Sequence, residues 1–241
     1  MTNPQNYPAK LSIDYSGELS RLTTFFRFFV AIPISFIGGG LSYGLAALNM
    51  YGMAAPGLIL MAAIMGLVLY LIPAGATGES LYWLPLIYLF YIPMFLALSP
   101  LVMMILFKKK YPRWWYDWNV NLTKFFFRLH AYVLLLTDKY PSTDEEQSVH
   151  IEISYPDAEK ELRRGMPIIK WILVIPHWIV LAILGIAVWV VTIIAWFAIL
   201  INGRYPKELF AFVVDYLRWL FRVWAYSFIL TTDEYPPFSL G

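Results

Sequence analysis

Two long stretches of this chain contain no lysine or arginine. All 18 basic residues lie outside residues 28–107 and 171–203, and the only acidic residue within either stretch is Glu79. One helical crossing of a bilayer needs about 20 apolar residues, so both stretches are long enough to enter a membrane. The two stretches separate three charged blocks of the chain. Basic residues that flank membrane segments are retained in the cytoplasm, which places all three charged blocks on that side. Each apolar block is therefore predicted to enter and leave the membrane by the same face.

The second apolar block, from Ile168 to Ile201, predicts a helical hairpin that turns near Gly185. Each arm would contain about 16 residues and extend about 24 Å, against a hydrocarbon core of about 30 Å. The arms therefore either begin earlier, near Met166, or form a re-entrant hairpin that stops before the far leaflet. Pro176 is predicted to kink the first arm.

An internal sequence match joins the two halves of the chain. The run YPRWWYDWNVNLTKFFFRLHAYVLLLTDKYP resembles the later run YPKELFAFVVDYLRWLFRVWAYSFILTTDEYP, which has one extra residue before its Thr-Asp pair. A looser upstream match pairs Arg21 with Arg164 and Arg27 with Lys170. Such matches predict an all-α integral membrane protein with two tandem repeats, each a membrane helical hairpin followed by an amphipathic interfacial helix.

The predicted organisation follows from the match. The first repeat contains an inserted apolar segment, in which Leu58–Ile72 can form a further membrane helix, a re-entrant piece or an interfacial segment, so that half has two or four crossings. The polar linker between the repeats has a short strand pattern at His150–Ser154. The predicted boundaries are 1–141 for the first repeat with its insertion at about 43–80, 142–154 for a cytosolic linker, and 155–241 for the second repeat.

Each matched helix carries charged residues at helical spacing within an otherwise apolar sequence, which is typical of a helix in the membrane interface. The charged side would face cytosolic water or lipid headgroups, and a docking face for a protein partner is the alternative. The residues predicted to make these interfacial contacts are Lys124, Arg128, Arg204, Arg218, Arg222, Trp115 and Trp219.

The chemical inventory predicts no catalytic or metal site. The chain has no cysteine, so thiol nucleophiles and cysteine-ligated metals are excluded, and a net charge of +2 gives no reason to expect nucleic acid. No acidic pair has a spacing that requires general acid and base chemistry. His177 and His130 are weak candidates for ligating a haem or contacting a quinone, but hydrogen-bonded structural histidines are the favoured interpretation. No cofactor is therefore predicted.

The second half resembles a known family. The run IPHWIVLAILGIAVWVVTIIAWFAILINGRYP, continuing through LRWLFRVWAYSFILTTDEYPPF, is similar to the bacterial and archaeal membrane family named domain of unknown function 4389. The resemblance is strong over about residues 160–238 and weak in the first half, where Ile32, Pro33 and Ile34 replace the family's Ile-Pro-His. It implies a membrane location and a tandem organisation, and it implies no particular activity.

The function expected from these features is that of a non-enzymatic accessory or scaffold subunit, which binds a larger membrane complex or its own copies. Its partners would be membrane lipids and other membrane protein subunits, or further copies in a homo-oligomer. The expected location is the inner (cytoplasmic) membrane of a prokaryote, with several crossings and cytoplasmic termini. A lipid-organising or transport-related protein is the alternative, and a haem- or quinone-binding subunit is a more remote one.

Overall fold

The computed structural model describes residues 6–27, 29–34, 105, 108–143, 145 and 147–240. These residues belong to one compact unit that is built from both ends of the chain. Its strands are β1 (Ala9–Ile13) and β2 (Val149–Ile153), and residues 21–27 and 29–34 are helical. The later helices are α1 (Arg113–Val133), α2 (Met166–Leu173), α3 (Ile175–Asn202), α4 (Lys207–Trp224) and a π-helix (Ala225–Ile229).

The two strands form an antiparallel sheet in which Leu11 is opposite Ile151. Apolar and polar residues alternate along both strands, so one face is buried and the other is exposed. A two-stranded sheet alone is marginally stable. Here its buried face joins a core that includes Phe127 of α1 and Phe221 of α4, whose rings are 5.2 Å apart. The strand pattern predicted at His150–Ser154 is thus confirmed with a shift of one residue.

The second apolar block contains the end of α2 and then one continuous helix, α3, with no reversal near Gly185, so the predicted hairpin is wrong. α3 has 28 residues and ends where Gly203 adopts a left-handed conformation with φ of +70°. Glycine accepts this conformation because it has no Cβ, which is why it commonly ends helices. The hairpin prediction assumed that basic residues at both ends of the block require a reversal within it, whereas the chain reverses after α3.

Gly185, where the turn was predicted, lies within α3 and allows close contact with α4. A Cβ at this position would be 3.2 Å from the Tyr216 hydroxyl oxygen. Eight residues earlier on α3, His177 contacts Trp219, which lies three residues later on α4. The residue numbers thus run in opposite directions along the contact, and the two helices pack antiparallel.

At the kink predicted for Pro176, the helical stretch is interrupted at Val174, two residues before the proline. α2 ends at Leu173, and Pro176 lies in the first turn of α3. Proline is tolerated there because the first backbone N–H groups of a helix have no intrahelical acceptor. Pro176 therefore helps to begin α3, directly after the interruption at Val174.

The fold class predicted from the sequence is also wrong. The described residues form a mixed structure with helices and an antiparallel sheet, in place of an all-α arrangement of two repeats that each contain a membrane hairpin and an interfacial helix. Residues 9–13 form a strand that the sequence analysis does not predict, and α4 packs along α3. The apolar insertion predicted at about 43–80 lies outside the described residues.

Candidate functional site

One side of α3 is an exposed apolar face. Its side chains recur every three or four residues along the whole helix, and each is at least half exposed. Among the described residues, α3 is the one helix whose length and composition would allow it to cross a membrane, so the multi-pass prediction has no support there. The exposed apolar face consists of Ile175, Ile179, Ile183, Ile186, Trp189, Val190, Ile193, Phe197 and Ile201.

The apolar surface extends beyond α3. Ile172 of α2 is 67% exposed, and the helical residues Leu22 and Phe29 are 71% and 66% exposed. The helical segment near the N-terminus touches α3, because the Trp196 indole N–H donates to the Thr24 carbonyl at 3.2 Å. This amount of exposed aliphatic and aromatic surface is typical of an interaction site.

A buried lysine connects α2 to the segment after the π-helix. Lys170 has no exposed surface, and its Nζ is 2.7 Å from Asp233 Oδ1 and donates to the Thr232 carbonyl. The ammonium also lies 5.0 Å from the centre of the Tyr226 ring. Asp233 in turn accepts a hydrogen bond from the backbone N–H of Arg163. Residues distant in the chain are thus tied together at the start of the α2–α3 region.

The first half contains the same set of contacts around Arg27. Its guanidinium pairs with Asp138, donates to the Thr137 carbonyl at 2.9 Å and lies over the Tyr132 ring. Asp138 accepts a hydrogen bond from the backbone N–H of Ser20, the counterpart of the Arg163 contact. The sequence match of Arg27 with Lys170 therefore extends to their partners. In each half, the Thr-Asp pair binds the buried lysine or arginine side chain.

The matched arginines Arg128 and Arg222 are buried, so they do not form the solvent-facing stripe predicted for them. Arg128 donates to the Ser142 carbonyl at 2.8 Å, and Arg222 donates to the Ser239 carbonyl. Each arginine thereby holds the segment that follows its own helix. Helical spacing identifies the polar side of each helix, but it does not show that strands cover part of that side.

Burial changes the proton affinity of several of these groups. Burial lowers the pKa of Lys170, while the hydrogen bond and charge of Asp233 oppose that shift. Burial likewise lowers the pKa of Arg222. Burial, together with the charge of Asp233, raises the pKa of Tyr226 to about 12, so this phenol is neutral at pH 7.

His177 lies in an aromatic cluster between α3, α4 and the C-terminal segment. It is fully buried, accepts a hydrogen bond from the Trp219 indole at 3.0 Å and stacks on Phe238 with ring centres 3.7 Å apart. Because Nδ1 accepts this bond, the neutral ring carries its proton on Nε2, which has no partner among the described residues. The arrangement is that of a structural histidine with one unused donor.

The other cofactor candidate, His130, is exposed on α1, and its Nδ1 lies 2.8 Å from the Phe126 carbonyl oxygen. Within the described ranges, no three His, Asp or Glu side chains are grouped to hold a metal ion. His177 and His130 each have a ring nitrogen engaged by the protein's own groups. Their arrangement gives no specific reason to assign a cofactor.

The remaining predicted contact residues differ in exposure. Arg204 is exposed, Lys124 is half-buried, and Arg218 pairs with Asp215 at 2.7 Å while donating to the Leu11 carbonyl. Trp115 is half-buried and Trp219 is buried against His177, whereas the neighbouring Trp114 is 59% exposed. Contacts of Arg204, Lys124 and Arg218 with headgroups or a partner stay predictions.

The C-terminal part of the chain matches a known family. Residues 166–239 match the model described as domain of unknown function (DUF4389). This segment belongs to the DUF4389 family. The DUF4389 segment contains α2, α3, α4 and the π-helix, and with them both Lys170 and Asp233. Comparisons with curated proteins and with solved structures give no match.

The indole of Trp219 is expected to stabilise the DUF4389 segment through its bond to His177. Trp219→Phe keeps the ring packing but leaves His177 Nδ1 buried without a donor, at a cost of about 1–3 kcal/mol. The exposed Trp114→Phe should change the free energy of unfolding by less than about 0.5 kcal/mol. Denaturant unfolding of both variants in detergent tests this, and equal stabilities would contradict it.

Proposed function

We propose that this protein is a membrane-attached accessory or scaffold subunit without a catalytic activity of its own. The observation that carries the proposal is the exposed apolar face of α3, a helix of 28 residues that contains no Lys, Arg, Asp or Glu. Exposing such a face to water costs about 25 cal/mol per Å² of apolar surface, so contact with lipid is strongly favoured.

The interior of the unit supports a structural role. All four buried basic side chains among the described residues bind carbonyl or carboxylate oxygens of the same unit. These charges hold segments of the chain together, which suits a rigid platform. Partner subunits would bind the water-facing side of that platform, formed by α4 and the exposed face of the sheet.

The proposal is tested by purifying the full chain from native membranes in a mild detergent. The expected result is a second membrane protein at fixed stoichiometry, recovered again when that partner carries the tag, or a defined homo-oligomer. Ser12→Lys/Ala211→Lys alters the exposed sheet and the charged side of α4, so it should weaken the partner association. Ala182→Ser, on α3, is the control that should leave it intact.

Other outcomes would overturn the proposal. A monodisperse protein without partners that carries solute across liposomes would indicate transport. A visible absorption band lost in His177→Ala would indicate a haem protein. A partnerless, colourless protein that reshapes vesicles would favour lipid organisation, the second candidate, which the exposed apolar face of α3 also supports.

A further inference from the structure

The orientation of α3 relative to the membrane can be inferred from what covers its other side. α4 packs antiparallel along α3, with contacts from His177 to Trp219 and from Gly185 to Tyr216. Near the other end of α3, Ile199 lies in the same core cluster as Phe210 of α4. One side of α3 is therefore covered by protein over most of its length, while the opposite side is the exposed apolar face.

The covering elements carry charges at the level of the middle of α3. At 1.5 Å per residue, Gly185 lies about 15 Å from the start of a helix about 42 Å long. Its neighbour Tyr216 lies between Asp215 and Arg218, which form an ion pair with side chains 30% and 39% exposed. Arg218 also donates to the Leu11 carbonyl of β1. The Asp215–Arg218 pair thus lies within about 10 Å of the midpoint of α3, measured along its axis.

The sheet adds further charges at this level. Lys10 and Glu152 lie opposite each other on its exposed face and flank the Leu11–Ile151 pair. If α3 crossed the membrane, these groups and the Asp215–Arg218 pair would lie in the hydrocarbon core. Each lysine, arginine or aspartate near the centre of a membrane helix costs about 2.5–3.5 kcal/mol, so a crossing orientation is strongly disfavoured.

A helix lying in the plane of the membrane avoids this cost. It immerses the exposed apolar face and leaves α4 and the sheet in water. Exposed basic residues lie at both ends of the α2–α3 region, where an in-plane helix brings them to the phosphate level of a single leaflet. These residues are Arg163, Arg164, Arg204 and Lys207.

We propose that α3 lies parallel to the membrane plane as an interfacial helix, with its exposed apolar face among the acyl chains of one leaflet. The occupant of this face is lipid, and the four basic residues contact its phosphates. This inference rests on the membrane attachment proposed above and specifies its geometry. An amphipathic surface of this kind is buried about 5–10 Å into the boundary between headgroups and acyl chains.

The absence of cysteine allows a direct test in the full chain. Single cysteines replace Ile179, Ile186, Ile193 and Ile201, which are 58%, 69%, 56% and 69% exposed, so the fold should tolerate each change. Spin labels at these sites are measured in vesicles of phosphatidylethanolamine and phosphatidylglycerol. Accessibility to oxygen and to a water-soluble nickel reagent gives the depth of each label. Ser12→Cys on the exposed sheet is the water-facing control.

The in-plane arrangement predicts that the four labels on α3 lie at similar depths and that the label of Ser12→Cys is accessible to water. A crossing helix would instead place labels 179 and 201 near opposite surfaces, about 33 Å apart along the helix, with the middle labels deepest. That profile would overturn the orientation and leave membrane attachment standing. Four water-accessible labels would overturn both the orientation and the proposed attachment.

Discussion

Asp233→Asn is expected to destabilise the protein by about 3–5 kcal/mol, because it leaves the fully buried Lys170 ammonium without a compensating charge. The amide can still accept from the Arg163 backbone N–H, so the variant isolates the loss of charge. Asp138→Asn should cause a similar loss through Arg27. The measurement is the free energy of unfolding in detergent, followed by tryptophan fluorescence.

Two comparisons make the Asp233 prediction specific. Adding Lys170→Met to Asp233→Asn should recover most of the lost stability, since replacing a buried ion pair by apolar groups is often neutral. Asp117→Asn alters an exposed pair with Arg113 and should cost about 0–1 kcal/mol. Equal effects of Asp233→Asn and Asp117→Asn would contradict the buried-pair account.

The loss in Asp233→Asn should also depend on pH. Asp233 raises the pKa of Lys170 against the lowering effect of burial, so its neutralisation lowers the folded-state pKa further. The unfolded chain then binds more protons than the folded one at alkaline pH, and stability rises with pH in that range. The deficit of Asp233→Asn should therefore shrink as the pH approaches the ordinary lysine pKa.

Gly185→Leu is expected to separate α3 from α4 and cost about 1–3 kcal/mol or more, because the side chain would occupy the space of the Tyr216 hydroxyl. Gly185→Ala requires that hydroxyl to move by only a few tenths of an ångström. It also gains about 1 kcal/mol in helix propensity, so its net effect should be small. Thermal unfolding of both variants provides the measurement.

The control for Gly185 lies on the same helix. Ala182 is exposed, so Ala182→Leu adds bulk to α3 without touching α4 and should leave the unfolding midpoint nearly unchanged. If Gly185→Leu were as harmless as Ala182→Leu, the close packing of the two helices would be contradicted.

Some features of the fold were predictable from local sequence. The apolar character of the second block and the strand near His150 follow from periodicity, and a Tyr-Pro pair marks an element boundary because proline disfavours the helical conformation of the residue before it. At Tyr205-Pro206, for example, α4 begins directly after the proline. The extra residue before the second Thr-Asp pair is accompanied by a π-helix at Ala225–Ile229, whose turns are wider than those of an α-helix.

The remaining features depend on contacts between distant residues. The Lys170–Asp233 and Arg27–Asp138 pairs join positions separated by 63 and 111 residues, so spacing arguments do not find them. The recurrence of Thr-Asp before a Tyr-Pro pair was the available signal, read together with the match of Arg27 to Lys170. The sequence around Gly185 also does not show whether this glycine forms a turn or allows a close helix contact. That distinction requires knowing that Tyr216 lies against it.

The most direct test of membrane attachment uses Trp189, which is 58% exposed on the apolar face of α3. The full chain and its Trp189→Phe variant are placed in vesicles with and without bromine on the acyl chains, and the difference between the two proteins gives the Trp189 fluorescence. Contact with acyl chains predicts that bromine strongly quenches this component. Equal Trp189 fluorescence in both kinds of vesicle would contradict the account.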